Sequence, residues 1–113
     1  MTDRGTTRPV AGTSFYVLLA LADQPRYGLG IAEEVARRTG GEIRLGPGTL
    51  YGTLKKLLEE GHIGEVTPSG HDQDPRRRYY GILPAGRLAL SAEAARLEQL
   101  VFAARAKGAL PLA

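Results

Sequence analysis

Apolar residues recur along this chain in three helical stripes, one unbroken apolar run and one strand-like alternation. The clearest stripe is Leu50, Leu54, Leu57 and Leu58, in a segment that opens with the turn residues Gly46-Pro47-Gly48 and closes at Gly61. This spacing gives a helix one apolar face, and a glycine just past the last turn is a common helix stop. At about 100° per residue, Gly48, Thr49, Gly52, Lys55 and Lys56 fall on the opposite side. That face is small at its start and basic further along, as suits a helix that presses against a polyanion. An ordinary solvated face carries the same lysines, so the neighbouring segments must decide.

Residues 1–12 hold Thr, Gly, Arg and Pro with little apolar content and read as a flexible tail. Its Arg4 and Arg8 are either solvated or touch a phosphate backbone. Ser14 is a candidate N-cap for a helix through Phe15, Tyr16, Val17, Leu18, Leu19, Ala20, Leu21 and Ala22. A helix apolar on every side must be covered all round, by the domain core on one side and a second subunit on the other. Pro25 ends it. A second helix follows Tyr27-Gly28-Leu29-Gly30 and runs to about Arg38. Tyr27, Ile31 and Val35 form its inward stripe, with Glu33, Glu34, Arg37 and Arg38 largely outside. Gly28 and Gly30 lack the preceding strand and third glycine of a dinucleotide loop. Thr39-Gly40-Gly41 stops this helix, and an extended Glu42–Leu45 reaches the next. Two amphipathic helices joined by a glycine-containing connection make a helix-turn-helix candidate.

After Gly61, His62–Thr67 reads as a strand, Pro68–Pro75 as turn and Arg76–Ile82 as a second strand. Arg78, Tyr80 and Ile82 share one face of it; Arg77 and Tyr79 share the other. A hairpin with this placement is the wing of a winged helix. Pro84 suits the first position of a final helix, from about Ala85 to Lys107, stopped by Gly108 with Pro111 beyond. Leu90, Leu97 and Ala104 are seven apart, Leu100 adds an intermediate position, and Leu88 and Val101 widen the stripe. Such a helix overshoots a domain of roughly 70 residues, about 25–30 Å across. A two-fold partner would cover its far stripe.

Composition narrows the class. At 113 residues, 42% hydrophobic and 24% charged, the chain reads as one globular domain rather than a disordered one. A net charge of +3 and a pI near 9.5 fit an anionic partner without demanding one. The lack of cysteine excludes disulfides and thiolate chemistry. The longest apolar run, Phe15–Ala22, is too short to span a bilayer, so a soluble, cytoplasmic protein is expected. His71 beside Asp72 and Asp74 falls short of a metal-ligand set, and nothing resembles a nucleophile–base arrangement. No metal, cofactor or enzymatic activity is expected.

The run Gly48-Thr49-Leu50-Tyr51, with Leu54, Leu57, Glu59-Glu60-Gly61 and Ile63, resembles the recognition helix of PadR-like transcriptional regulators. Arg77-Arg78-Tyr79-Tyr80-Gly81-Ile82 and Gly86 resemble that family's second wing strand and the start of its C-terminal helix. Pro25-Arg26-Tyr27-Gly28 resembles the entry to its second helix. The resemblance covers about Ser14 to Leu100 and points to the short class of the family. It implies a mainly α fold with a small β-hairpin: a winged helix-turn-helix over 13–83, a dimerisation helix over 84–108 and a short tail at 109–113. It further implies a homodimeric regulator of transcription, a repressor, on pseudo-palindromic double-stranded DNA. Gly48, Thr49, Tyr51, Gly52, Lys55, Lys56, Arg76, Arg77 and Arg78 are the candidate DNA contacts, Tyr51 being either a phosphate contact or structural. Phe15, Tyr16, Leu19, Leu97, Leu100 and Val101 either pack the dimer or hold a small hydrophobic or aromatic effector. The alternative is a winged helix that binds protein or senses a ligand without touching DNA. Two positions depart from the family. Gly52 stands where Pro is usual, and costs up to about 1 kcal/mol in a helix interior. Leu83 stands where a Thr cap is usual, and its absence removes about 1 kcal/mol.

Overall fold

A computed structural model describes residues 12–67, 74 and 76–111. The N-terminal tail before Gly12, with Arg4 and Arg8, lies outside the described residues, as do His71, Asp72 and most of the hairpin turn.

The order of elements is α1 (Thr13–Leu21), β1 (Arg26–Tyr27), α2 (Gly28–Arg38), α3 (Pro47–Glu59), β2 (Ile63–Val66), β3 (Tyr79–Ile82) and α4 (Pro84–Ala106). The strands form an antiparallel sheet in the order β1-β3-β2. The architecture is mainly helical, with a hairpin wing after the α2–α3 pair and a long C-terminal helix.

The core is built where the stripes meet. Val17, Leu18, Leu21, Ile31, Val35, Leu50, Leu54, Leu57, Ile63, Tyr80 and Ala89 are all buried in one cluster. Each large aliphatic side chain buried there contributes about 1.5–3 kcal/mol. It fixes the back of α3 against α1 and α2 and leaves the front free. Leu58 does not join them: it is 36% exposed, because it sits at the edge of the arc centred on Leu50, Leu54 and Leu57.

Gly61, at φ 76°, ends α3. The His62 N–H reaches back to the Leu57 carbonyl (2.9 Å) and the Gly61 N–H to Leu58 (3.1 Å), which satisfies carbonyls the helix would otherwise strand. α2 and α4 end in the same bonding pattern.

Four sequence expectations need correction. Ser14 is not the N-cap of α1. Gly12 holds that position, with no side-chain cap, and Ser14 is buried inside the first turn. Glu34 is not outside the packed surface. It is 4% exposed and ion-paired with Arg26 (3.7 Å), Arg38 (2.8 Å) and Arg37. Arg26 comes from outside α2, and its Nε also donates to the Ala20 carbonyl at 2.8 Å, closing a non-local network no helical period reports. A strand does precede Gly28, but β1 has only two residues, paired Arg26↔Tyr80 and Tyr27↔Tyr79. Finally, β3 starts at Tyr79, so Arg76, Arg77 and Arg78 lie before the strand. Asp74 accepts the Arg76 backbone N–H at 2.9 Å and turns the chain there.

α4 has 23 residues, about 35 Å at a rise of about 1.5 Å. α1 packs on it. Leu83 is its N-cap and makes no capping hydrogen bond. Leu88, Leu100 and Val101 are exposed, and Leu90 and Leu97 are half-buried. Phe102, off the seven-residue stripe, is 71% exposed. Among the described residues, no helix is long and apolar enough to cross a membrane.

Candidate nucleic-acid interface

α3 begins at Pro47, whose missing N–H is no loss at the first helical position. Its buried leucines set its rotation about its own axis. Gly48, Thr49, Tyr51, Gly52, Lys55 and Lys56 are all exposed. Gly48, Gly52 and Lys55 form the crest of this face. Nothing lies within 4 Å of where a side chain at Gly48 or Gly52 would begin. Thr53 donates its hydroxyl to the Thr49 carbonyl at 2.8 Å.

Two clefts flank this crest. The one on the wing side, about 350 Å³, is lined by Tyr27, Gly28, Tyr51, Tyr80 and the three arginines Arg76, Arg77 and Arg78. The one on the other side, about 380 Å³, lies between α3 and the start of α1 and is lined by Thr13, Ser14, Gly48, Thr49, Gly52, Thr53 and Lys56.

The three arginines differ in how far they are committed. Arg76 pairs with Asp74 at 3.2 Å, and this partner holds the Asp74 carboxyl below its usual range. Arg77 stacks 4.0 Å over the Tyr27 ring, which meets Tyr79 edge-on. Arg78 is 3.9 Å from Glu65 and its side chain is 76% exposed, against 89% for Arg76. Tyr80 lies beneath, and burial pushes its phenol above the ordinary tyrosine value.

Tyr51 is 52% exposed, but its hydroxyl is placed against the first residue of α2. A side chain at Gly28 would overlap it. Tyr51 thus belongs to both the face of α3 and the wing-side cleft. Sequence reasoning missed Tyr27 and Gly28 as parts of this cleft. Their signal was the small residue at the start of α2 opposite a tyrosine in the first turn of α3. It also missed Thr13 and Ser14 beside Gly52, which become neighbours only through the packing of α1 on α3.

The second group of sequence-predicted residues is spread over α1 and α4. Phe15 and Tyr16 form an edge-on pair with centroids 6.1 Å apart and are half-buried, as is Leu97; Leu19, Leu100 and Val101 are exposed. Among the described residues, no three His, Cys, Asp or Glu side chains come together as a metal would need.

The chain matches the family model of the transcriptional regulator PadR-like family over residues 17–92. It belongs to that family. A transcriptional regulator of Mycobacterium tuberculosis is 33% identical over 90 residues, covering 80% of this chain and 79% of that protein. An uncharacterised transposon protein of Streptomyces fradiae is 39% identical over 89 residues, covering 76% of this chain but only 24% of that much longer protein. The crystal structure of Bacillus subtilis PadR in complex with operator DNA superposes with a TM-score of 0.60 at 21% identity, covering 74% of this chain and 47% of that one. The family is one of transcriptional regulators, and the superposed PadR structure shares the winged-helix fold of this chain. The matched region runs from the second half of α1 to the first third of α4, so it contains both helices of the α2–α3 pair and the wing.

Proposed function

We propose that this protein is a homodimeric, sequence-specific DNA-binding repressor that acts without enzymatic chemistry. The observation that carries the reading is the front of α3, bare at Gly48 and Gly52, basic at Lys55 and Lys56 and flanked by a cleft with three arginines. α3 enters a major groove. Thr49 and the crest approach base edges, and Lys55, Lys56 and the arginines engage phosphates or the adjacent minor groove. Most of the affinity is then electrostatic and falls steeply with salt.

The dimer brings α1 and α4 of two copies together. The support is the exposed apolar set Leu19, Leu100, Val101 and Phe102, more than a lone helix end normally shows to water. Two-fold symmetry places the two α3 helices about one turn of the duplex apart. A small hydrophobic or aromatic effector that releases the DNA would enter between the subunits, beside Phe15, Tyr16 and Leu97. The protein works in the cytoplasm, where its DNA is.

The test is salt-titrated binding to duplex DNA. Wild type binds random duplex at low salt and a selected inverted repeat more tightly. Arg76/Arg77/Arg78→Ala weakens both and flattens the salt dependence. Absence of binding at any salt sinks the proposal and leaves a winged helix that acts on protein or ligand alone.

A further inference from the structure

Arg77 is shared by two clefts. The wing-side cleft also holds Tyr51 of α3. The other, about 300 Å³, runs along α2 and is lined by Gly30, Glu33, Glu34 and Arg37 together with Pro25 and Tyr79. Tyr27 and Arg77 belong to both linings. An arginine on that ridge has two places to go. Toward α3 it reaches a duplex lying along the crest. Toward α2 it meets the carboxylate of Glu33; Glu34, in the same lining, is already held by three arginines. A long side chain with two such options loses rotamer freedom when DNA selects one of them, and that loss weakens binding unless the choice is made beforehand.

Tyr27 is placed to make that choice. The Arg77 guanidinium carbon lies 4.0 Å from the centre of the Tyr27 ring, well within the reach of a cation–π contact. Its Nε is 3.8 Å from Oδ2 of Asp74, its side chain is 44% exposed, and the Tyr79 hydroxyl lies beside it. The stack uses the flat face of the guanidinium. The N–H donors lie in its plane, so those not turned to Asp74 or Tyr79 remain available to a phosphate. The ring is itself fixed. The Tyr27 backbone pairs with Tyr79, and the two rings meet edge-on at 61° with centroids 5.7 Å apart. α2 passes so close that a Cβ at Gly30 would stand 3.3 Å from the Tyr27 ring. Glycine at position 30 lets the ring lie on the helix.

We propose that Tyr27 is a positioning residue for DNA binding: its ring holds the Arg77 guanidinium ready for a backbone phosphate, and Gly30 gives the ring its seat. This assignment rests on the DNA-binding reading above. It gives a role to a residue of β1 that lies outside both α3 and the hairpin and acts only through Arg77. The attraction runs between the π face of the ring and the charge of the guanidinium, so the effect of Tyr27 must vanish when Arg77 is removed.

The test uses the full chain and a duplex selected from a random pool with wild-type protein. Arg77→Ala should weaken binding about tenfold, as for a charge-assisted contact, and lower the salt slope by about one ion. Tyr27→Leu should weaken binding about fivefold, the scale of one cation–π contact. Tyr27→Phe should bind as wild type, because the ring and not its hydroxyl holds the charge. The decisive series places phenylalanine with one, two or three ring fluorines at position 27. Fluorine drains the π face that attracts the cation and changes the shape little. Affinity should fall with each fluorine when Arg77 is present and stay level in Arg77→Ala, where Tyr79 still meets the ring. Unfolding midpoints are read beside the affinities. A falling midpoint with level affinity makes the stack a prop of the fold and refutes the proposal. A fluorine trend that survives Arg77→Ala refutes it too, as does an Arg77→Ala variant that binds like wild type; DNA binding through α3 then stands. If wild type binds no duplex at any salt, both readings fall.

Discussion

The hydroxyl of Tyr51 rests on the α-carbon of Gly28, where even a methyl group would overlap it. The contact joins the N-terminal part of α3 to the start of α2, and it shapes the wing-side cleft. Gly28→Ala should therefore swing the exposed Tyr51 ring aside at little cost in stability, because the overlapping atoms are the far end of a side chain. Duplex affinity should fall about as far as in Tyr51→Ala. Paired measurements of unfolding midpoint and DNA affinity check this; a large loss of stability with normal affinity would reject it.

Gly86 is the opposite case. A Cβ there would run into the carbonyl of His62, the same oxygen that accepts the Leu83 N–H at 2.9 Å. Backbone cannot swing aside. Gly86→Ala should destabilise the protein by about 2–3 kcal/mol, in the range of overpacked cores, as read from urea unfolding.

Gly52 has free space around it, so Gly52→Ala should raise stability by about 0.5–1 kcal/mol, the usual gain for replacing glycine inside a helix. Affinity for duplex should fall in the same variant. A gain in stability with a loss of binding is the signature of a residue kept for function, and thermal unfolding beside anisotropy titration measures both.

Glu34→Ala leaves Arg26 half-buried without its carboxylate. Removing one partner of a buried pair costs about 3–5 kcal/mol. The lower end is expected here, because the side chains of Arg37 and Arg38 are 66% and 67% exposed and solvent takes their charge. Denaturant unfolding gives the value.

The Arg96 guanidinium beside Glu93 holds that carboxyl below its ordinary value of 4.5. A carboxylate with a depressed pKa favours the folded state above the unfolded pKa, and loses that contribution as pH falls through the folded one. The acid limb of the stability curve, below about pH 4.5, should therefore be shallower in Glu93→Gln. Unfolding midpoints measured between about pH 7 and about pH 3 test it.

α3 was legible because a single stripe of leucines both builds it and orients it. Leu50, Leu54 and Leu57 fix which residues face out, so Gly48, Thr49, Gly52, Lys55 and Lys56 followed from the period alone. What periodicity hides is anything settled by a residue from elsewhere in the chain. Glu34 reads as a surface charge until Arg26 arrives from β1. Ser14 has the chemistry of a cap, yet Gly12 starts the helix and Ser14 is buried within its first turn. The three arginines look like the first half of a strand, yet Asp74 ties Arg76 into a turn and Tyr27 captures Arg77. β1 is too short for any alternation to show.

That short strand has a consequence for synthesis. Arg26 and Tyr27 pair with Tyr80 and Tyr79, so the sheet closes only after the second arm of the hairpin has left the ribosome. Until then the α2–α3 pair exists without its wing. A chain that ends before β3 therefore lacks the strand that ties the wing to the start of α2.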